Sequence, residues 1–376
     1  MKDQPLIFSA SIGNGHNQAA KALQEAFEHQ GLSPKQIDTF HAIHPNLHTM
    51  MLQTYLSLLK ITPFIWRKMY RYSENYPIFM LLDRFGALFV NQLNTFIDKD
   101  RCPFMISTHP FVTAFLCKLK QEKQLGFPLY TIITDFVLHP AYVRNEIDGY
   151  FTASHDIATF AKEHCVPPER FHATGIPILN DPSYKKSKEV ISEQLGLDPT
   201  RKTLLIAGGG MGLTNYVNVL RAIEQIKEPI QIICMIGHNY HAEKKIIRHQ
   251  TKHEVRAISF TDKFLSYLKA SDAVISKAGG VTMAEALACE IPIILFRSVP
   301  GHEEHNAIYL TSNGAAVEVN DDDQLLEVVE QVLYEQSFYE SLKSHARLLK
   351  KPNASYQIVE KILGNHTDTI NTNVVN

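Results

Sequence analysis

Ser276-Lys-Ala-Gly-Gly-Val-Thr-Met-Ala-Glu285 is the stretch on which the reading of the fold turns. A strand-like apolar run, Ala273–Ile275, enters it, and a helix-like run leaves it from Met283. The same grammar occurs twice more. Gly208-Gly-Gly-Met-Gly212 follows the apolar run Thr203–Ala207 and precedes a helix-like run, Tyr216–Ile226. Ser11-Ile-Gly-Asn-Gly-His16 follows Leu6–Ala10 and precedes Asn17–His29, where Ala19, Leu23, Ala26 and Phe27 fall at helical spacing.

Working outward, the first half offers further strands at Phe104–Ser107, Leu129–Thr134 and His172–Gly175. The second half offers Ile230–Ile236, Val255–Phe260 and Ile291–Phe296, with a late helix at Leu325–Leu333. Strands alternating with helices predict parallel sheets covered on both faces. Ile176–Tyr184 and the lysine-rich stretch after it read as a connection. The expected fold is therefore α/β, with two Rossmann-like domains whose parallel sheets face an interdomain cleft. The expected boundaries are a first domain over 1–178, a linker over 179–200, a second domain over 201–363 and a frayed polar tail over 364–376. Ligands in such sheets bind beyond the carboxyl ends of the strands, where the glycine turns fall.

Composition agrees with this picture. The chain has 376 residues, 45% hydrophobic and 20% charged, enough for two folded domains. A net charge of −2 gives no whole-chain field for nucleic acid. The five cysteines are scattered and lack metal-ligand spacing, which suits free thiols in a reducing cytosol. No basic region followed by a long apolar run precedes Leu6, so no signal peptide is expected, and no run reaches the length of a membrane span.

Each glycine turn has a bland reading and a chemical one. Glycines at 208–212 allow positive φ and close approach, so the amides of Gly209, Gly210 and Met211 can meet anionic oxygen. They equally suit a tight turn with no ligand. In the 276–285 turn, Thr282 is a candidate helix cap, and Glu285 three residues on would complete a capping box. Alternatively Gly279, Gly280, Val281 and Thr282 present amides to phosphate, while an ionised Glu285 accepts from ribose hydroxyls. Glu303 and Asn306 share a face if 300–306 opens a helix, and would meet sugar hydroxyls; the other reading is a solvated loop. His16, directly after Gly15, stands at a helix start and can take a proton near neutral pH. Asp135 and His139, at the end of another strand, orient the base or the acceptor, or serve only as caps.

Residues 46–95 break the alternation. They hold five Lys/Arg against two Asp/Glu, and the single tryptophan, Trp66, sits beside Arg67, Lys68 and Arg71. Aromatic and cationic side chains together suit a lipid headgroup zone, though core helices with basic outer faces would read the same way.

Taken together, Gly13-Asn-Gly-His16, Thr134-Asp-Phe-Val-Leu-His139, Thr174-Gly-Ile-Pro177, Gly208–Gly212, Lys277-Ala-Gly-Gly280 with Glu285, and Pro300-Gly-His-Glu303 with Asn306 resemble one family. It comprises the processive diacylglycerol glucosyltransferases of Gram-positive bacteria and the plant monogalactosyldiacylglycerol synthases. More distantly the chain resembles the N-acetylglucosaminyltransferase that forms lipid II. The resemblance runs from Leu6 to about Leu363. It implies a GT-B fold, a UDP-sugar as co-substrate held mostly by the second domain, inversion, and no cofactor or metal. It places Gly279, Gly280 and Thr282 at the diphosphate, Glu285 at the ribose, Glu303 and Asn306 at the hexose, and backbone at Phe260 beside uracil. Gly15, Gly209, Gly210, Met211 and Val281 join the donor contacts. His16 becomes the proton acceptor or its orienter, aided by Asp135. Trp66, Arg67, Lys68, Arg71 and His139 fall to the acceptor and membrane region. Ala278 stands where the family often has proline, and His302 where it often has glutamine, at the sugar end of the donor.

The expected partners are a UDP-sugar, diacylglycerol and anionic lipid, on the cytoplasmic face of the cell membrane and peripheral to it, with no nucleic acid and the oligomeric state open. The competing readings are a galactosyltransferase, a UDP-sugar 2-epimerase and a UDP-sugar sensor.

Overall fold

The computed structural model describes residues 3–373 apart from 12, 45, 47, 48, 55, 56, 58–67, 69–71, 73–83, 155–157 and 300. The chain separates into two compact units, 1–179 together with 352–376, and 180–351.

In the first unit six parallel strands lie in the order β2-β1-β3-β4-β5-β6. They are β1 (Leu6–Ser9), β2 (Lys35–Asp38), β3 (Met105–Ser107), β4 (Leu129–Ile132), β5 (Gly149–Phe151) and β6 (Phe171–His172). The inner strands are buried at every residue, so they read as unbroken apolar runs. Helix α1 (Gly15–His29) buries Ala19, Ala20, Leu23, Ala26 and Phe27, and helix α2 (Pro110–Glu122) buries Val112, Phe115, Leu116 and Leu119. The connection reverses direction between β1 and β3, so the loops after these two strands flank the switch point of the sheet.

The second unit has the order β12-β11-β10-β7-β8-β9. Its strands are β7 (Thr203–Ala207), β8 (Gln231–Gly237), β9 (Glu254–Ser259), β10 (Ala273–Ser276), β11 (Ile293–Phe296) and β12 (Ala316–Val319). Counted within the unit this is 6-5-4-1-2-3, the doubly wound order of dinucleotide-binding sheets. Its switch point lies between β7 and β10, which pair in parallel with Ser276 beside Ala207. The helices used below are α3 (Tyr216–Ala222), α4 (Gly280–Ala288) and α5 (His302–Ser312).

Three expectations need correction. The second domain does not run to 363, and 364–373 is not a frayed tail. Helix α6 (Ala354–Asn373) belongs to the first unit, where Ile358, Val359 and Ile362 pack with Ala20, Leu23 and Phe27 of α1. The Ser355 hydroxyl also donates to the Ile178 carbonyl at 2.7 Å. The apolar spacing of 358, 359 and 362 drives this docking. Nor is 179–200 a bare linker: it carries the helix Lys188–Gln194, and Lys188 pairs with Asp272 at 2.6 Å in the second unit. Of the basic segment, Trp66, Arg67 and Arg71 lie outside the described residues, and Lys68 is exposed.

Candidate functional site

In the first unit, Gly13 takes φ +81°, which lets the chain reverse after β1 and start α1 at Gly15. The turn is held by side chains: Asn17 donates to the Ser11 hydroxyl at 2.7 Å, and Ser11 donates to the Asp38 carboxylate. His16 then reaches across the switch point. Its Nδ1 lies 2.6 Å from the Thr108 carbonyl oxygen and 3.1 Å from the Thr134 hydroxyl. A carbonyl oxygen only accepts, so Nδ1 carries the hydrogen and Nε2 is the acceptor nitrogen of the neutral ring. That is the form a proton acceptor needs. Thr108 and His109 were not singled out from sequence. The His109 ring stands edge-on to His16 with centroids 4.5 Å apart. His109 also caps α2 by accepting from the Phe111 amide at 3.2 Å.

Asp135 is half-buried, one residue beyond the threonine that touches His16. His139 Nδ1 accepts from the Ala141 amide at 3.0 Å and caps the short turn Pro140–Tyr142.

The second unit concentrates backbone donors at its own switch point. The 208–212 loop is pinned against the end of β8. A Cβ on Gly208 would lie 2.0 Å from the Tyr216 hydroxyl, and one on Gly212 would lie 2.0 Å from the Ile236 carbonyl oxygen. The Gly208 and Gly212 amides donate within this packing. Those of Gly209, Gly210 and Met211 have no hydrogen-bond acceptor among the described residues.

Beside it, α4 begins at Gly280 with Gly279 as its N-cap. This overturns both the start at Met283 and the cap at Thr282. The cap makes no side-chain hydrogen bond, so the capping box with Glu285 does not form. The first-turn amides of Gly280, Val281 and Thr282 point out of the helix end without a partner among the described residues. Such a terminus attracts anions.

Glu285 is buried one turn further on, with 8% of its surface exposed and no hydrogen-bonding side-chain partner among the described residues. Burial pushes its carboxyl up to about 8. Burial thus favours the protonated acid, which offers one O–H donor and one acceptor oxygen.

Glu303 and Asn306 do share one face, in the first turns of α5, and both are buried. Asn306 donates to the Ala278 carbonyl at 3.0 Å. Glu303 accepts from the Val299 amide at 2.8 Å and pairs with the Lys277 ammonium. The pairing of Lys277 with Glu303 was not foreseen from sequence. The only visible signal was the position of Lys277 just before the paired glycines.

Phe260 follows β9 and is exposed, its ring stacked on His238 at 4.7 Å. Its amide donates to the Gly237 carbonyl at 3.0 Å.

Comparison with known proteins agrees with these two halves. Residues 16–178 match the family Monogalactosyldiacylglycerol (MGDG) synthase, and residues 203–361 match the Glycosyltransferase family 28 C-terminal domain. A processive diacylglycerol beta-glucosyltransferase of Bacillus cytotoxicus is 28% identical over 368 residues, covering 97% of this chain and 94% of the relative. Among solved structures, Acinetobacter baumannii MurG is similar with a TM-score of 0.57 at 15% identity, covering 97% of this chain and all of that one. The glycotransferase of kitacinnamycin is similar with a TM-score of 0.66 at 15% identity, covering 96% of this chain and 98% of that one. The expected resemblance is thus found along both halves of the chain, and the fold is GT-B.

Proposed function

We propose that this chain, as a GT-B glycosyltransferase, moves a hexose from a UDP-sugar to the hydroxyl of diacylglycerol, with inversion and without a metal. The observation that carries the reading is the pair of unspent amide sets, 209–211 and 280–282, flanking the switch point beside Lys277 and Glu303. Six donors and one ammonium suit a diphosphate. The name borne by the Bacillus relative supports glucose as the sugar and repeated addition to the glycolipid product. The match of the first half to the MGDG synthase family favours galactose as the second reading.

In the proposed reaction the acceptor oxygen attacks the anomeric carbon from the side opposite the diphosphate. The bond from that carbon to the β-phosphate oxygen breaks, and its electron pair leaves with UDP. His16 Nε2 takes the hydroxyl proton. Amide donors and Lys277 stabilise the charge that grows on the leaving phosphate. Glu285 and the Phe260 carbonyl hold the nucleoside, and Glu303 with Asn306 stands at the hexose. Gly15 opens α1 directly before His16.

We place the reaction on a cytoplasmic, peripheral membrane surface. No helix among the described residues is long and apolar enough to span a bilayer. Met50, Tyr72 and Leu88 expose half or more of their surface around the basic segment, which supports lipid contact by Trp66, Arg67, Lys68 and Arg71.

The test is a donor panel, UDP-glucose against UDP-galactose, with diacylglycerol vesicles, read by product mass and by the anomeric coupling in NMR. A β-linked glucosyl lipid from UDP-α-glucose is expected. Hydrolysis without lipid product, or retention of configuration, would overturn the proposal.

A further inference from the structure

Lys277 touches both anion-facing loops. It leaves β10 one residue before Ala278 and the Gly279 cap of α4. Its stem lies against the other loop, since a Cβ placed on Gly209 would come 3.3 Å from Lys277 Cε. Its ammonium ends on Glu303, whose Oε1 is 4.0 Å from the position of a Cβ on Gly279. Glu303 itself is 1% exposed, and its other oxygen is held by the Val299 amide.

A buried carboxylate needs a counter-charge, and Lys277 provides it. Yet the same ammonium stands beside Gly209 and Gly279, whose neighbouring amides point at an anion site. A diphosphate seated there would compete with Glu303 for it, with two charges against one.

We propose that Lys277 changes partners when the donor binds. Glu303 holds the ammonium while the site is empty of nucleotide. The diphosphate then takes it, and the Glu303 Oε1 is turned over to a hexose hydroxyl. This inference rests on the proposed UDP-sugar site. It makes engagement of the sugar conditional on arrival of the phosphates, so a free hexose meets a carboxylate that is already occupied. Lys277 is thus a binding residue with two partners and not a strut.

The exchange gives the two members of one ion pair opposite effects on UDP, the donor stripped of its sugar. Calorimetry with UDP and with UDP-glucose on the full chain reads this directly. Glu303→Gln removes the competitor for Lys277 and should tighten UDP by about threefold or more, while UDP-glucose gains less because a hexose contact is lost. Lys277→Met should weaken UDP by about tenfold or more and flatten its salt dependence. A melting temperature of Lys277→Met within a few degrees of the parent chain separates loss of charge from loss of fold. If both Glu303→Gln and Lys277→Met weaken UDP, or if Lys277→Met leaves UDP binding unchanged, the pair is a structural strut and the inference falls. If the parent chain binds no UDP at all, the proposed donor site falls with it.

Discussion

His16 Nδ1 and the carbonyl oxygen of Thr108 are 2.6 Å apart, which ties an imidazole in the first turn of α1 to the backbone just after β3. The main chain cannot be mutated away, so it fixes which nitrogen of the neutral His16 ring carries the hydrogen. With the base role proposed here, His16→Ala should cut kcat by about 10²- to 10⁴-fold. UDP affinity should stay within about twofold, since His16 and the amide sets lie in different units. Steady-state rates with diacylglycerol vesicles, paired with calorimetry, check it. A rate within a few-fold of the parent removes His16 from the chemistry.

Gly212 has φ +57° and would place a Cβ 2.0 Å from the Ile236 carbonyl. Backbone must move to admit it, so Gly212→Ala should displace the Gly209–Met211 amides. We expect UDP affinity to fall by about tenfold or more and the melting temperature to drop. Gly126→Ala is the control, because a Cβ there meets nothing within 4 Å. Equal melting curves for the two variants would show that the loop yields freely.

Glu285 gives a pH-dependent prediction. Burial raises its carboxyl to about 8 from an unfolded value of 4.5. The folded chain therefore holds a proton that the unfolded chain has released between those two values. Its contribution to stability is complete below about 4.5 and is lost as pH rises through about 8. Glu285→Gln mimics the protonated acid without that loss. Its melting temperature should match the parent near pH 5 and exceed it near pH 8.5. UDP binding by this variant should be close to the parent near pH 6. A melting difference that does not change with pH would mean that Glu285 is ionised throughout.

Helix α6 should be indispensable to the first unit. Ile358 and Ile362 are fully buried against α1. Truncating either to alanine should cost about 2–5 kcal/mol. Removing residues 352–376 should unfold the first unit, which limited proteolysis would show. A deletion with unchanged protection against protease would contradict the packing.

The metal-free leaving-group stabilisation proposed here predicts that turnover survives chelation. Dialysis against EDTA, then assay with and without added magnesium, should give rates within about twofold. A loss restored by magnesium would move that role from amides and Lys277 to a cation.

Much of this fold was legible because parallel strands buried on both faces leave unbroken apolar runs. β7 was read to the residue, and β1, β8, β10 and β11 within a few residues. The strands not foreseen are β2, a polar Lys-Gln-Ile-Asp at the sheet edge, β5, only three residues long, and β12, an edge strand with only two of its four residues buried. Edge position and shortness both erase the signal. The glycine turns were placed correctly, because strand ends and helix starts have a local grammar. The start of α4 was missed, since a hydroxyl at 282 outweighed a glycine cap that bonds through no side chain. The Lys277–Glu303 pair and the Thr108 carbonyl were out of reach, as each joins positions 26 and 92 residues apart. The charge state of Glu285 depends on burial, which spacing does not encode.

The docking of α6 means that the polypeptide enters and leaves the second unit through separate junctions, near 179 and near 351. The second unit is thus a cassette spliced into its host, not a module hung from one end. Residues 3–179 and 352–373 lie in the same unit, so exchanging the second unit between relatives calls for two cuts. A simple swap of C-terminal halves would carry off the helix that completes the other lobe and produce two broken proteins instead of one chimera.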